Sequence, residues 1–339
     1  MSPIPNQCIR VDILGSLFMT IRSAYSSRTL SEAHCIVEQE IQKLGDKAVL
    51  VLYLDGGPSE EKRETQVLRE DRRKEALSQA NIHLEELDRR VTGKLKVRKH
   101  HFKSVSKNLS SAYAWSMEAR QAFAEYMRSR QWNVVTCETE ADVKIAMDCR
   151  AGDVVVSRDS DMLIYSNITT IWRPISKDRV LVYKLDTVLA TLKLNRTQLT
   201  VLGIVSKNDY GRNIYSLGSA TNYAIIKEKV AEDAPAMVKQ YLADTRVVSA
   251  NARFSGSDPH GVSIGTAQWS HLLLKVLRTG LQKIPHRFQP VLLLRSHQRL
   301  LLHPLHQLWH RLIPVAILRY LAPGFPVIER DTHLNNGAD

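Results

Sequence analysis

Short runs of consecutive apolar residues that stop abruptly at a carboxylate constrain this chain more than any other feature. Ala48–Leu54 (AVLVLYL) ends at Asp55-Gly56-Gly57-Pro58, and Asp153–Val156 (DVVV) ends at Ser157-Arg158-Asp159-Ser160-Asp161. A strand that is apolar on successive residues, rather than alternating, is buried on both faces, as in a parallel sheet covered by helices. Ile9–Leu14, Val134–Thr136, Thr170–Arg173 and Arg179–Val182 are further strand candidates. Helix-favouring segments fall between them: an amphipathic stretch to about Lys43, then Glu60–Arg90, Trp115–Gln131, Thr139–Arg150, Leu185–Leu192 and Arg196–Val205. Strand and helix alternate throughout, which predicts an α/β fold with a mainly parallel sheet. Basic Val91–Lys107 has no sustained periodicity and reads as a mobile loop or broken helix.

The acids sit where such a sheet would gather them. Asp12 lies between apolar neighbours in RVDIL, Asp55 ends the second strand, and Glu138, Glu140 and Asp142 open a helix just after a strand. Asp159 and Asp161 end the DVVV strand, and Asp209 follows a helix. The C-terminal ends of parallel strands share one edge, where the ligand crevice forms. So many carboxylates in one small space repel one another unless a counter-charge is present. Mg²⁺ and Mn²⁺ take oxygen ligands and keep part of their water. Two such ions about 4 Å apart activate water and stabilise both oxygens of an in-line phosphoryl displacement. The pattern therefore suggests metal-dependent phosphodiester hydrolysis with two ions as cofactors. A strand-ending acid also has a plainer use, capping the next turn or helix. Asp12, interrupting an apolar strand, fits that use least.

Charge points to the partner. The net charge is +12, and Lys62 to Lys107 holds 14 Lys/Arg against 7 Asp/Glu. From Ala250 to the end there are 10 against 4, so the remainder is close to neutral. A near-neutral body with one concentrated cationic segment suits a polyanion. With 44% apolar and 24% charged residues the chain has a globular composition. No apolar run approaches the ~20 residues of a membrane span. The N-terminus lacks the pattern of a secretory signal. Four scattered cysteines without a CxxC pair read as reduced thiols of an intracellular protein.

Four blocks, in order, resemble the structure-specific 5′ nucleases of the flap endonuclease/XPG family, a branch of the PIN-like fold. VDILGSLF is similar to the family's first-strand motif, and YLDGGPSEEKRETQVLREDRR to its FDG-x-P block and basic helix. ETEADVKIA with VVVSRDSDML is similar to its internal acidic block, and KNDYGRNIYSLG to its G-S-D-Y-x-x-x-I-x-G-I-G segment. The resemblance implies a PIN-like three-layer fold over 8–200, with a basic helical arch in 62–131. A degenerate helix-hairpin-helix-type segment follows over 201–244, and 245–339 would be linker and tail.

The resemblance puts Asp12, Asp55, Asp159, Asp161 and Asp209 at metal positions. The acidic pair has two registers, Glu140 with Asp142 or Glu138 with Glu140. The first is favoured because helix packing constrains register more than loop length does. Lys62 and Arg69 match the cations at the foot of the arch, where they would polarise the scissile phosphate. Arg72, Arg73, Lys94, Lys96, Arg98, Lys99 and Lys103 would contact the backbone of the strand. Gly218 keeps the close backbone approach of the hairpin, although Ser216, Ser219, Ala220 and Thr221 depart from its pattern. The family's N-terminal Met-Gly segment has no counterpart in the eleven residues before Asp12, and the tail has no sliding-clamp motif. The implied activity is a structure-specific nuclease on flapped or single-stranded nucleic acid, DNA in preference to RNA, with nuclear residence. A non-catalytic nucleic-acid-binding protein of the same fold is the alternative. Oligomeric state is left open.

Overall fold

The computed structural model describes residues 7–57, 59, 62–176, 179–206, 217–250 and 327–329. Its strands are β1 (Ile9–Asp12), β2 (Leu50–Leu54), β3 (Asn133–Thr136), β4 (Val154–Val156), β5 (Thr170–Ser176), β6 (Arg179–Lys184) and β7 (Val327–Glu329). They form one sheet in the order β3-β2-β1-β4-β5-β6-β7. The first five in that order are mutually parallel, β6 turns antiparallel to β5, and β7 pairs antiparallel with β6. From β1 the chain steps outward through β2 and β3, then crosses back to β4 on the other side. The topological switch point therefore lies between β1 and β4, which is where ligand crevices of open α/β sheets form.

The two-residue period of each strand sends neighbouring side chains to opposite faces. Ile9, Val11, Leu50, Leu52, Leu54, Val154 and Val156 face one layer, built from α1 (Ile13–Ser27), α2 (Leu30–Gln42) and α5 (Met117–Ser129). Tyr53 and Val155 face the other. That layer holds α6 (Ala141–Asp148), α7 (Leu185–Leu192), α8 (Arg196–Val205), α9 (Ser219–Lys227) and α10 (Ala234–Leu242). The result is a three-layer α/β sandwich with a mainly parallel sheet. Full burial of an aliphatic side chain such as Leu52 contributes about 1.5–3 kcal/mol. The second buried cluster runs on through α10 to Val247 and Ala250, so the packed body continues past Asp244.

Of the two readings of Val91–Lys107 the structure takes the broken helix: α3 (Arg63–Thr92) turns through Gly93 and Lys94, and α4 (Lys99–Ala112) packs back along it. Only Val105 is buried in α4, and only Ala80 among the described side chains of α3. α3 carries no sustained apolar stripe, so its periodicity is faint, whereas α4 is amphipathic. The first strand is shorter than Ile9–Leu14. It stops at Asp12, whose carboxylate caps α1 by accepting the Gly15 N–H. Among the described residues no helix is long and apolar enough to cross a membrane.

Candidate metal centre

Four segments bring carboxylates to the C-terminal edge of the sheet. Asp12, at the end of β1, is 6% exposed. Its Oδ1 accepts the Gly15 N–H at 2.8 Å, and its Oδ2 accepts the Ser157 hydroxyl at 2.9 Å. The acid expected to fit a capping role least is thus a cap, and it also ties the end of β1 to the end of β4. Gly15 permits this, because a Cβ there would lie 2.0 Å from Asp12 Oδ2. Ser157 Oγ in turn accepts the Asp159 N–H at 3.0 Å, and Asp159 Oδ1 accepts the Asp161 N–H at 2.9 Å.

Asp55, at the end of β2, accepts the N–H of Ala141 at 2.9 Å and so caps α6 from a neighbouring strand. Glu140 immediately precedes that helix. It accepts the Ser59 hydroxyl at 2.6 Å and pairs with Lys62 at 3.1 Å. Asp142, in the first turn, lies 3.9 Å from Lys62 and accepts the Tyr165 hydroxyl at 3.0 Å. Glu138 is exposed, and the group that ties it to β2 is its backbone carbonyl, on the Gly57 N–H at 2.9 Å. The side chains of Glu140 and Asp142 are 11% and 15% exposed. Asp209 lies outside the described residues.

Burial, then the nearby charge of Asp55, pushes the Asp12 carboxyl up to about 8, against hydrogen bonds from Gly15 and Ser157. Burial also raises Asp55, opposed by the Ala141 N–H and by Arg120 and Lys62. Asp142 is pushed up to about 6 by burial, with Lys62 opposing and Glu140 adding repulsion. Asp12 and Asp55 have no Lys or Arg paired with them among the described residues. A buried, like-charged pair of hard oxygen donors fits a divalent cation. Among the described residues no three acid, imidazole or thiol side chains are drawn together into a ready cage. Mg²⁺ does not need one, since it is usually held through one or two carboxylates and keeps several waters.

The raised carboxyls give a pH prediction. An acid whose pKa is higher folded than unfolded makes the native state the one that binds more protons, so stability falls as pH rises. For Asp12 the loss runs from about pH 4 through its folded value of about 8, and for Asp142 it ends near 6. Thermal denaturation without metal should therefore give a lower Tm at pH 8 than at pH 5.5, and millimolar Mn²⁺ should flatten the slope. A Tm that rises over this interval without metal would contradict the arrangement.

The basic residues divide. Lys62 is half-buried among the acids, whereas Arg69, Arg72, Lys94, Lys96, Arg98, Lys99 and Lys103 are exposed along the α3–α4 hairpin. Arg73 is half-buried, 3.5 Å from Glu70. Gly218 precedes α9, and a Cβ there would meet nothing within 4 Å. Trp115 and Tyr113 pack in the body, while Phe102 is 55% exposed. Sequence reasoning missed Ser59, Ser157 and Tyr165, which orient the acids, and Arg120, which donates to the carbonyls of Asp55 and Gly56 at 3.1 Å each. Their partners lie 23 to 145 residues away, and none carries a local signal.

No family model and no curated protein matches the chain. Among solved structures it is similar to the catalytic core of Rad2 in complex with DNA substrate, with 16% identity and a TM-score of 0.43, covering 80% of this chain and 74% of that one. It is also similar to human GEN1 in complex with Holliday-junction DNA, with 14% identity and a TM-score of 0.44, covering 87% and 64%. Flap endonuclease-1 from Methanococcus jannaschii is 14% identical with a TM-score of 0.40, covering 80% and 92%. At such identity no residue role carries over from them.

Proposed function

We propose that this protein is a divalent-metal-dependent nuclease that hydrolyses phosphodiesters in flapped or single-stranded nucleic acid, DNA in preference to RNA. The acids at the strand ends carry this reading: buried Asp12 feels the charge of Asp55, and Asp55 that of Glu140, and buried acids with too little positive charge among them suit Mg²⁺ or Mn²⁺. Asp12, Asp55, Glu140, Asp142, Asp159 and Asp161 are the residues that would hold the ions. When bound, they would supply Lewis-acid activation of water and of the phosphoryl oxygens. The chain's own parts do the rest. Ser157, Ser59, Tyr165 and the Ala141 N–H fix the carboxylates in orientation. Lys62 is a cation at the rim of the acids and would meet a phosphate oxygen drawn toward them. The exposed cations of the hairpin would hold the strand through its backbone, giving strong salt dependence and little sequence preference.

A second reading, binding without turnover, is favoured by the pairing of Lys62 with Glu140, which offsets the charge of one of the acids. End-labelled 5′-flap, single-stranded and duplex substrates incubated with Mg²⁺ or Mn²⁺ separate the two. Cleavage that a chelator stops and that Asp159→Ala lowers by at least about a hundredfold is the expected result. Undiminished cleavage by that variant, or binding without cleavage on every substrate, would overturn the nuclease reading.

A further inference from the structure

Both oxygens of Glu140 are engaged by a single turn at the foot of the α3–α4 hairpin. Ser59 donates its hydroxyl to Oε1 at 2.6 Å, and the Lys62 ammonium stands 3.1 Å from Oε2. The turn is closed by the Lys62 N–H, which donates to the Ser59 carbonyl at 3.2 Å. Lys62 also comes within 3.9 Å of Oδ2 of Asp142, an oxygen that accepts the Tyr165 hydroxyl. All three charged side chains are largely buried, so solvent screens them weakly.

The two partners of Glu140 differ in kind. Ser59 is neutral, and a carboxylate that accepts its hydroxyl still has lone pairs for a cation. Lys62 is itself a cation, standing where one would be held. Mg²⁺ takes its oxygens at about 2.0–2.1 Å, inside the distance at which the ammonium stands. Two positive charges on the same oxygens would repel strongly in so enclosed a place.

We propose that Lys62 is a built-in counter-ion of the metal-free protein, one that must give up Glu140 and Asp142 before they take a divalent cation. The inference rests on the metal-dependent reading above, from which it takes those two acids as ligands. It couples metal binding to the hairpin, because the lysine that is released immediately precedes α3. Ser59 keeps its hold on Glu140 throughout. The freed ammonium then turns to a phosphate oxygen, so one side chain balances charge first on the acids and then on the strand.

The test is Mn²⁺ binding to the full chain, initially metal-free, followed by the electron paramagnetic resonance of the free ion and by Tm with and without Mn²⁺. Lys62→Met keeps an unbranched stem and removes the charge, and it should bind Mn²⁺ about tenfold more tightly than the wild type. Without metal its Tm should be lower, since Glu140 and Asp142 lose their cation, and Mn²⁺ should raise that Tm further than it raises the wild type's. Lys62→Gln makes the same comparison with a side chain that still donates to Glu140. Lys62→Arg, which keeps the charge, should bind Mn²⁺ no more tightly than the wild type. Lys239→Met removes the same charge from an exposed place on α10 and should leave the affinity unchanged. Unchanged or weaker Mn²⁺ binding in both neutral variants at Lys62, with Asp12→Asn still impaired, would overturn the proposal and leave the metal centre standing. No Mn²⁺ binding by the wild type or by either neutral variant would overturn both. An equal gain in Lys239→Met would also overturn the proposal, since net charge alone would account for it.

Discussion

Replacing Asp12 by asparagine is expected to lower metal-dependent cleavage by at least about a hundredfold while leaving the protein about as stable as before at pH 4 and more stable at pH 8. The two halves of this prediction have different origins. Asparagine keeps an oxygen for the Gly15 N–H, and its amide can donate to Ser157 Oγ in place of accepting from it. The cap of α1 and the tie between β1 and β4 therefore survive. What is lost is a negative charge that burial and Asp55 already disfavour, with the carboxyl pushed up to about 8. Near pH 4 the wild-type side chain is neutral when folded and still partly protonated when unfolded, so the exchange matters little. Towards pH 8 the unfolded chain gains from ionising the aspartate and the native state does not, so the asparagine variant gains the advantage. Cleavage assays, with denaturation curves at both pH values, read the two effects separately. A variant that is less stable at pH 8 would mean that Asp12 is chiefly a structural cap. One that cleaves normally would remove it from the metal-binding set.

The same residue shows how far the amino-acid sequence carries. The apolar runs at Leu50–Leu54 and Val154–Val156 are legible as buried strands because nothing but a two-sided sheet accommodates them. Leu185–Leu192 and Arg196–Val205 are legible as helices, the latter opened by a reciprocal cap between Asn195 and Gln198. The α3–α4 hairpin is only half legible, since a pair of helices that packs chiefly on itself needs little apolar patterning. The helical start after Asp12 is hidden for the opposite reason. Ile13-Leu14 continues the apolar run, and the cap that ends the strand depends on Gly15 approaching a carboxylate. The candidate acids can be read from strand ends, but their orientation cannot. It is set by Ser59, Ser157 and Tyr165, whose hydroxyls meet the acids only after folding.

The placing of the acidic segment after β3 also has its physical basis outside the local sequence, and it leads to a large effect on stability. Gly56 donates its N–H to the Thr139 carbonyl at 2.6 Å, and Gly57 donates to the Glu138 carbonyl at 2.9 Å. A Cβ on Gly56 would lie 2.0 Å from the Cys137 oxygen and 2.3 Å from the Glu138 oxygen. Neither carbonyl can yield easily, because Cys137 donates its N–H to Leu54 at 2.9 Å and Arg120 holds the carbonyls of Asp55 and Gly56. Gly56→Ala must therefore spread the end of β2 from residues 137–139 and break both backbone bonds. It should cost about 2–4 kcal/mol, roughly 5–10 °C in Tm for a chain of this size. The displacement would draw the Ala141 N–H from Asp55 and Glu140 from Lys62, so cleavage should fall with stability. Gly57→Ala is the control. Its Cβ would find the Glu138 oxygen at 3.7 Å, an ordinary contact, and its effect should stay within about 0.5 kcal/mol. Equal losses in the two variants would show that the turn after β2 is merely delicate. A loss confined to Gly56→Ala would show that close backbone approach holds the acidic segment against the sheet.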